Sequence, residues 1–160
     1  MMCRPGRFVG LCLILLACGS VTPTSDRDSF VAGVVTRKSD TIILGITRLF
    51  PGQFQLRHVS VAVDSTRFNY LLSGAFEVSD GFSLEGFLMR REDVPLIVDG
   101  QEVDRLWRSG VTNTTGFEFG MPTDGEYTFV LDNRVGETEW KSVDARLVLF
   151  WDEFESVAKP

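Results

Sequence analysis

Strict alternation of apolar and polar residues on either side of a tight turn is the strongest constraint in this chain. Gly116-Phe117-Glu118-Phe119-Gly120-Met121 leads into Pro122-Thr123-Asp124-Gly125, and Glu126-Tyr127-Thr128-Phe129-Val130-Leu131-Asp132-Asn133 leads out. Phe117, Phe119 and Met121 share one parity, as do Tyr127, Phe129 and Leu131. In a third run Val143, Ala145, Leu147, Leu149 and Trp151 do the same. A period of two sends one set of side chains inward and the other to water, so these runs predict three strands of an antiparallel sheet.

The same period recurs upstream. Two first strands are predicted, Phe30–Thr36 and Thr41–Leu49, separated by the polar Arg37-Lys38-Ser39-Asp40 and followed by a turn at Pro51-Gly52. Val59, Val61 and Val63 alternate up to a turn at Asp64-Ser65-Thr66. Phe68, Tyr70, Leu72, Phe76 and Val78 then share a face. Asp80-Gly81 closes that strand, and Phe82, Leu84 and Leu88 begin another. Val94–Val98 reads as a further short strand, beyond the solvated cluster Arg90-Arg91-Glu92-Asp93. Val103, Leu106 and Trp107, spaced i, i+3, i+4, predict a turn or two of helix within Gln101–Arg108. Val148 and Phe150 make the last run apolar on both faces. Its second face is either a patch for a partner or covered by the fold, and burial is the expectation. About eight strands joined by frequent turns predict an all-β fold, a single antiparallel β-sandwich with at most one short helix.

The first residues have a different character. Arg4 and Arg7 precede an apolar run, Phe8–Leu16, that is shorter than the roughly 20 residues a helix needs to cross a bilayer. A cleaved signal over residues 1–17 is the reading this favours. Leu15-Leu16-Ala17-Cys18 resembles the lipobox of bacterial lipoproteins, with Leu16 bulkier than usual at its place. The resemblance implies cleavage before Cys18 and acylation of that residue, and several acyl chains give stable membrane attachment. With Gly19 and Ser20 following and no Asp at the second position, it also implies the outer membrane in an organism that has two. Residues 18–29 are polar and carry a proline, as a tether would, and the sandwich domain is expected over residues 30–155.

All three cysteines, Cys3, Cys12 and Cys18, fall within or at the end of this leader. The domain beyond it therefore has no thiol for a disulfide, a metal site or a nucleophile. Its cohesion must come from a core, which 12 of the chain's 13 Phe and all 3 Trp can supply. Without residues 1–17 the chain holds 14 basic and 22 acidic side chains, a net charge of −8. That balance argues against nucleic acid as a partner.

Phe117-x-Phe119, Asp124-Gly125-x-Tyr127-x-Phe129-x-x-Asp132-Asn133 and Lys141-x-Val143 together resemble the C-terminal half of a GOLD (Golgi-dynamics) domain and jelly-roll-like domains of bacterial secreted proteins. The resemblance implies an eight-stranded, non-catalytic sandwich used in protein–protein recognition. The residues of the signature read as structural. Gly125 permits a positive φ in the turn, Tyr127 buries its ring while its hydroxyl finds a backbone partner, and Asn133 tolerates a left-handed conformation at the strand end.

Catalytic motifs are sparse. His58, the single histidine, has no orienting partner in sequence and reads as a strand-surface residue. The acids Glu92/Asp93 and Asp152/Glu153/Glu155 are the densest, but glycosidase chemistry needs two carboxyls facing across a cleft. Asp80-Gly81, Asp99-Gly100 and Asp124-Gly125 lack the spacing of a calcium loop and read as turns. No cofactor and no metal site is expected. Trp107, Trp140 and Trp151 are the candidate recognition residues, since an aromatic in a polar neighbourhood is a common anchor. The function this supports is a lipid-anchored envelope protein that binds a protein partner without catalysis. One alternative is a carbohydrate-binding module in which Trp107, Trp140 and Tyr127 stack on sugar rings. The other is a small hydrolase using clustered acids.

Overall fold

The computed structural model describes residues 33–79, 82–134 and 139–157. Within them lie eight strands: β1 (Gly33–Leu49), β2 (Phe54–Val61), β3 (Arg67–Val78), β4 (Leu84–Arg90), β5 (Trp107–Thr112), β6 (Thr114–Gly120), β7 (Gly125–Asp132) and β8 (Lys141–Ser156). They form two four-stranded sheets, ordered β1-β8-β3-β6 and β2-β7-β4-β5, with every registered pair antiparallel. β1 pairs with β8, β2 with β7, β3 with β6 and β4 with β5. That nesting is one long hairpin rolled over on itself, the double-sheet jelly roll. The predicted all-β antiparallel sandwich is thus the fold observed. β1 and β2 end the two sheets at one rim, where Gln55 bonds Thr47, and β5 and β6 end them at the other.

Alternation explains the main core. Val59 and Val61, Leu72 and Phe76, Tyr127, Phe129 and Leu131, and Val143, Leu147 and Leu149 all turn into the space between the sheets. A second cluster of Phe87, Met89, Ile97, Val103 and Val130 lies on the other face of the second sheet. There the segment between β4 and β5 folds back over β4 and β7, which is why β4 is buried along both faces. Of the outward pair on β8, Val148 is buried at 7% exposure, as expected, whereas Phe150 is only partly buried.

Several expectations are corrected. The two predicted first strands are a single strand, because Arg37 and Lys38 do not interrupt it. They pair with Asp152 and Glu155 of β8 at 2.8 and 3.1 Å, so the polar stretch is held in register. Val94–Val98 is not a strand but the short helix α1. Pro95 stands in its first turn, where a missing N–H costs nothing. The helix predicted within Gln101–Arg108 does not form. Val103 drops into the second cluster, Leu106 and Trp107 pack on the main core, and Trp107 opens β5. Cys18, the leader, the tether and the Asp80-Gly81 turn lie outside the described residues.

The turn signature is structural, though not in every detail as expected. Gly125 sits at φ 142°, where a side chain would be strained, and the Asp124 carboxylate accepts the Val63 N–H. Tyr127 is fully buried, and its hydroxyl donates to the Thr123 carbonyl at 2.8 Å. Asn133 does not adopt the left-handed conformation. Among the described residues Asn69 is the non-glycine with positive φ, at 53°. The Asn133 amide instead donates to the carbonyls of Leu49, Phe50 and Glu139 at 3.1, 3.1 and 3.3 Å. It ties the end of β1 to the residue before Trp140.

Candidate functional site

That junction carries the most exposed large apolar side chains among the described residues. Leu44 and Ile46 are 76% and 75% exposed, and Phe50 and Trp140 are about half exposed. The run Ile42-Ile43-Leu44-Gly45-Ile46 is apolar at both parities. Ile43 and Leu49 turn inward, so Leu44, Ile46 and Arg48 are left on the outward face, opposite Arg146, Asp144 and Ser142 of β8. The guanidinium of Arg48 lies 5.5 Å from the centroid of the Trp140 ring. Because β1 ends its sheet, its backbone is paired on one side only among the described residues. Natural sheets usually blunt such an edge with charge or a bulge. Here a register shift does so between Thr41 and Ile43, but pairing with β8 then runs unbroken from Ile43 to Leu49.

Of the three tryptophans named from sequence, Trp140 belongs to this surface. Trp107 is half-buried, stacked 4.0 Å from Phe117 and 6.2 Å from Phe129, and so works as part of the core edge. Trp151 stacks on Tyr70 at 6.0 Å beside a cleft of about 230 Å³, whose other walls include Asp40, Arg67 and Leu149. With Tyr127 buried and Trp107 stacked, the aromatics considered for sugar stacking share no exposed face. Leu44, Ile46 and Phe50 were not singled out by sequence. The available signal was an apolar run at both parities, which reads equally as a strand covered on both faces.

Polar groups are arranged as structural pairs. His58 is exposed and its Nδ1 lies 3.1 Å from the Thr128 hydroxyl. The buried carboxylate of Glu85 is held by Arg105 and Arg108 at 2.7 and 2.9 Å, and that of Asp132 by Arg134 at 2.7 Å. Hydrogen bonds from the Thr66 hydroxyl and from the backbone of Thr66 and Arg67 pull Asp64 from its ordinary 3.8 to about 2. Glu126 is lowered by the Ser60 hydroxyl and by Arg91, and Asp152 by Arg37 and Asn69. A general acid in a hydrolase needs a raised carboxyl, and these three move the other way. Among the described residues no group of three or more His, Cys, Asp or Glu could hold a metal ion. Nor is any described helix long and apolar enough to cross a membrane.

No protein-family model matches this chain, and no curated protein matches it. Among solved structures it is similar to PliG of Aeromonas hydrophila, a periplasmic lysozyme inhibitor of g-type lysozyme. The two are 10% identical over 79% of this chain and 89% of that one, with a TM-score of 0.28. An overlap this loose transfers neither partner nor activity.

Proposed function

We propose that this is a lipid-anchored, non-catalytic binding protein of the bacterial cell envelope that takes a protein partner along the β1 rim. The observation that carries the reading is the pair Leu44 and Ile46, side by side and three-quarters exposed on a sheet edge that is unpaired among the described residues. An extended partner segment added at that edge satisfies the open backbone groups and covers both side chains. Burying the two contributes roughly 3 kcal/mol. Trp140 is the aromatic anchor beside them, while Trp107 and Trp151 hold the core that presents the rim. The GOLD-like signature over residues 117–143 belongs with such a role. The leader ending at Cys18 supplies the anchor and residues 18–29 the tether, at the outer membrane if the organism has two.

Photo-cross-linking in intact cells tests this. A reactive residue placed at 44 or at 46 is expected to give one and the same adduct, and one placed at 118, on the outward face of β6, none. Adducts from position 118 alone overturn the rim assignment. In the same membrane fraction, the peptide that begins at Cys18 is expected to carry added acyl mass.

A further inference from the structure

The rim also specifies the chemistry of what it takes, an inference that rests on the partner-binding reading above. We infer that the partner segment is an extended strand whose outward side chains run apolar, apolar, acidic across Leu44, Ile46 and Arg48. A strand added to a sheet edge sets its alternate side chains opposite those of the edge strand, so three consecutive outward positions are read together. Leu44 and Ile46 offer two apolar contacts. Arg48 offers a charge with no carboxylate partner among the described residues.

Most arginines of the described chain are occupied. Arg37, Arg67, Arg91, Arg105, Arg108 and Arg134 each have a carboxylate within 3.4 Å. Arg48 has none and rests instead on the Trp140 ring, which holds the guanidinium while leaving its N–H fork available. Arg146, across from Leu44, and Arg57, on the neighbouring edge strand β2, also lack a carboxylate partner. Arg90, at the end of β4, also lacks one and lies over the Tyr127 ring, so three of the four described arginines without a carboxylate gather at this rim, in a chain of net charge −6. Asp144 lies opposite Ile46. It disfavours a carboxylate at the middle position and so keeps the acid at the Arg48 end.

A second copy of this chain does not fit the same pattern. Antiparallel self-pairing centred on Leu44 would set Arg48 against Asp40. The register shift between Thr41 and Ile43 reverses parity, however, and Asp40 stands opposite the inward Leu149. Arg48 would then face no acid on the outward side, and since Asp40 is the sole acid of β1, pairing with β1 of a second copy does not supply the pattern.

The test uses the full chain in detergent and synthetic nine-residue strand peptides with Val at two alternate positions and Glu, Gln or Lys at the next. Each peptide is made in both chain directions, and binding is followed by fluorescence anisotropy at low salt. The Glu peptide of one direction is expected to bind about tenfold tighter than its Lys counterpart. Arg48→Glu is expected to reverse that order, and Leu44→Lys with Ile46→Lys to abolish binding of both. Equal affinity for Glu and Lys peptides, a preference that survives Arg48→Glu, or no binding of any Glu peptide overturns the inference. If adducts still form at positions 44 and 46 in cells, the rim remains the docking surface and only its acidic preference is lost.

Discussion

At the β5/β6 rim, Trp107 lies over Phe117, Phe117 lies 5.6 Å from Phe129, and the strand that closes the sheet turns Thr114, Gly116, Glu118 and Gly120 outward. At the β1/β2 rim, the edge strand turns Ile43 and Leu49 inward and still has Leu44 and Ile46 left over for water. Both rims close a sheet, and both are made of alternating sequence. One uses its large side chains to seal the gap between sheets; the other has more apolar residues than the gap can take. Val111 on β5, about half exposed, is a lone residue of the ordinary kind. Leu44 and Ile46 are neighbours on one face of one strand, and that contiguity makes a surface for a partner.

The largest effect separates the rims by stability. Trp107→Ala is expected to cost roughly 3 kcal/mol, since it empties the stack against Phe117 and Phe129. Leu44→Lys and Ile46→Lys are each expected to stay within about 0.5 kcal/mol of the parent. Denaturant midpoints check both. A double lysine variant as unstable as Trp107→Ala would mean that the β1 rim is core, and the contrast would be gone.

A smaller loss is expected from Asn133→Ala, roughly 2 kcal/mol, because the carbonyls of Leu49, Phe50 and Glu139 lose their shared donor. The change should also loosen Trp140 from the end of β1, seen as faster collisional quenching of the tryptophan emission. Unchanged stability and quenching would show that the rim is held together without this amide.

The smallest effect is in acid, at the turn between β2 and β3. Asp64 ionises more readily folded than unfolded, so its contribution is complete above its ordinary 3.8 and is lost as the pH falls through about 2. Asp64→Asn is expected to flatten the fall of melting temperature between about pH 4 and 2 relative to the parent. A variant whose acid profile matches the parent would remove the Asp64 turn as a source of stability.

How far the sequence could be read follows from which forces are local. The runs Phe117–Met121, Tyr127–Leu131 and Val143–Trp151 were legible as strands because a period of two survives any arrangement of neighbours. Arg37-Lys38-Ser39-Asp40 misled because its partners Asp152 and Glu155 lie more than a hundred residues away. Val103, Leu106 and Trp107 have helical spacing, but two separate cores pull on them from different sides. Val94–Val98 is too short for periodicity to distinguish helix from strand. Of the site, Trp140 was legible as an aromatic in a polar loop; Leu44, Ile46 and Arg48 were not.

Alternation and turn chemistry, read along one chain, were enough for an all-β sandwich with Tyr127 and Phe129 at its centre. Strand order was decided only in three dimensions. It made β1 an edge strand with one side of its backbone open, and it left the outward face of β1 and β8 there uncovered by any described element, so Leu44 and Ile46 are exposed. Burial depends on what lies on the far side of a strand, and no pattern along β1 itself carries that information.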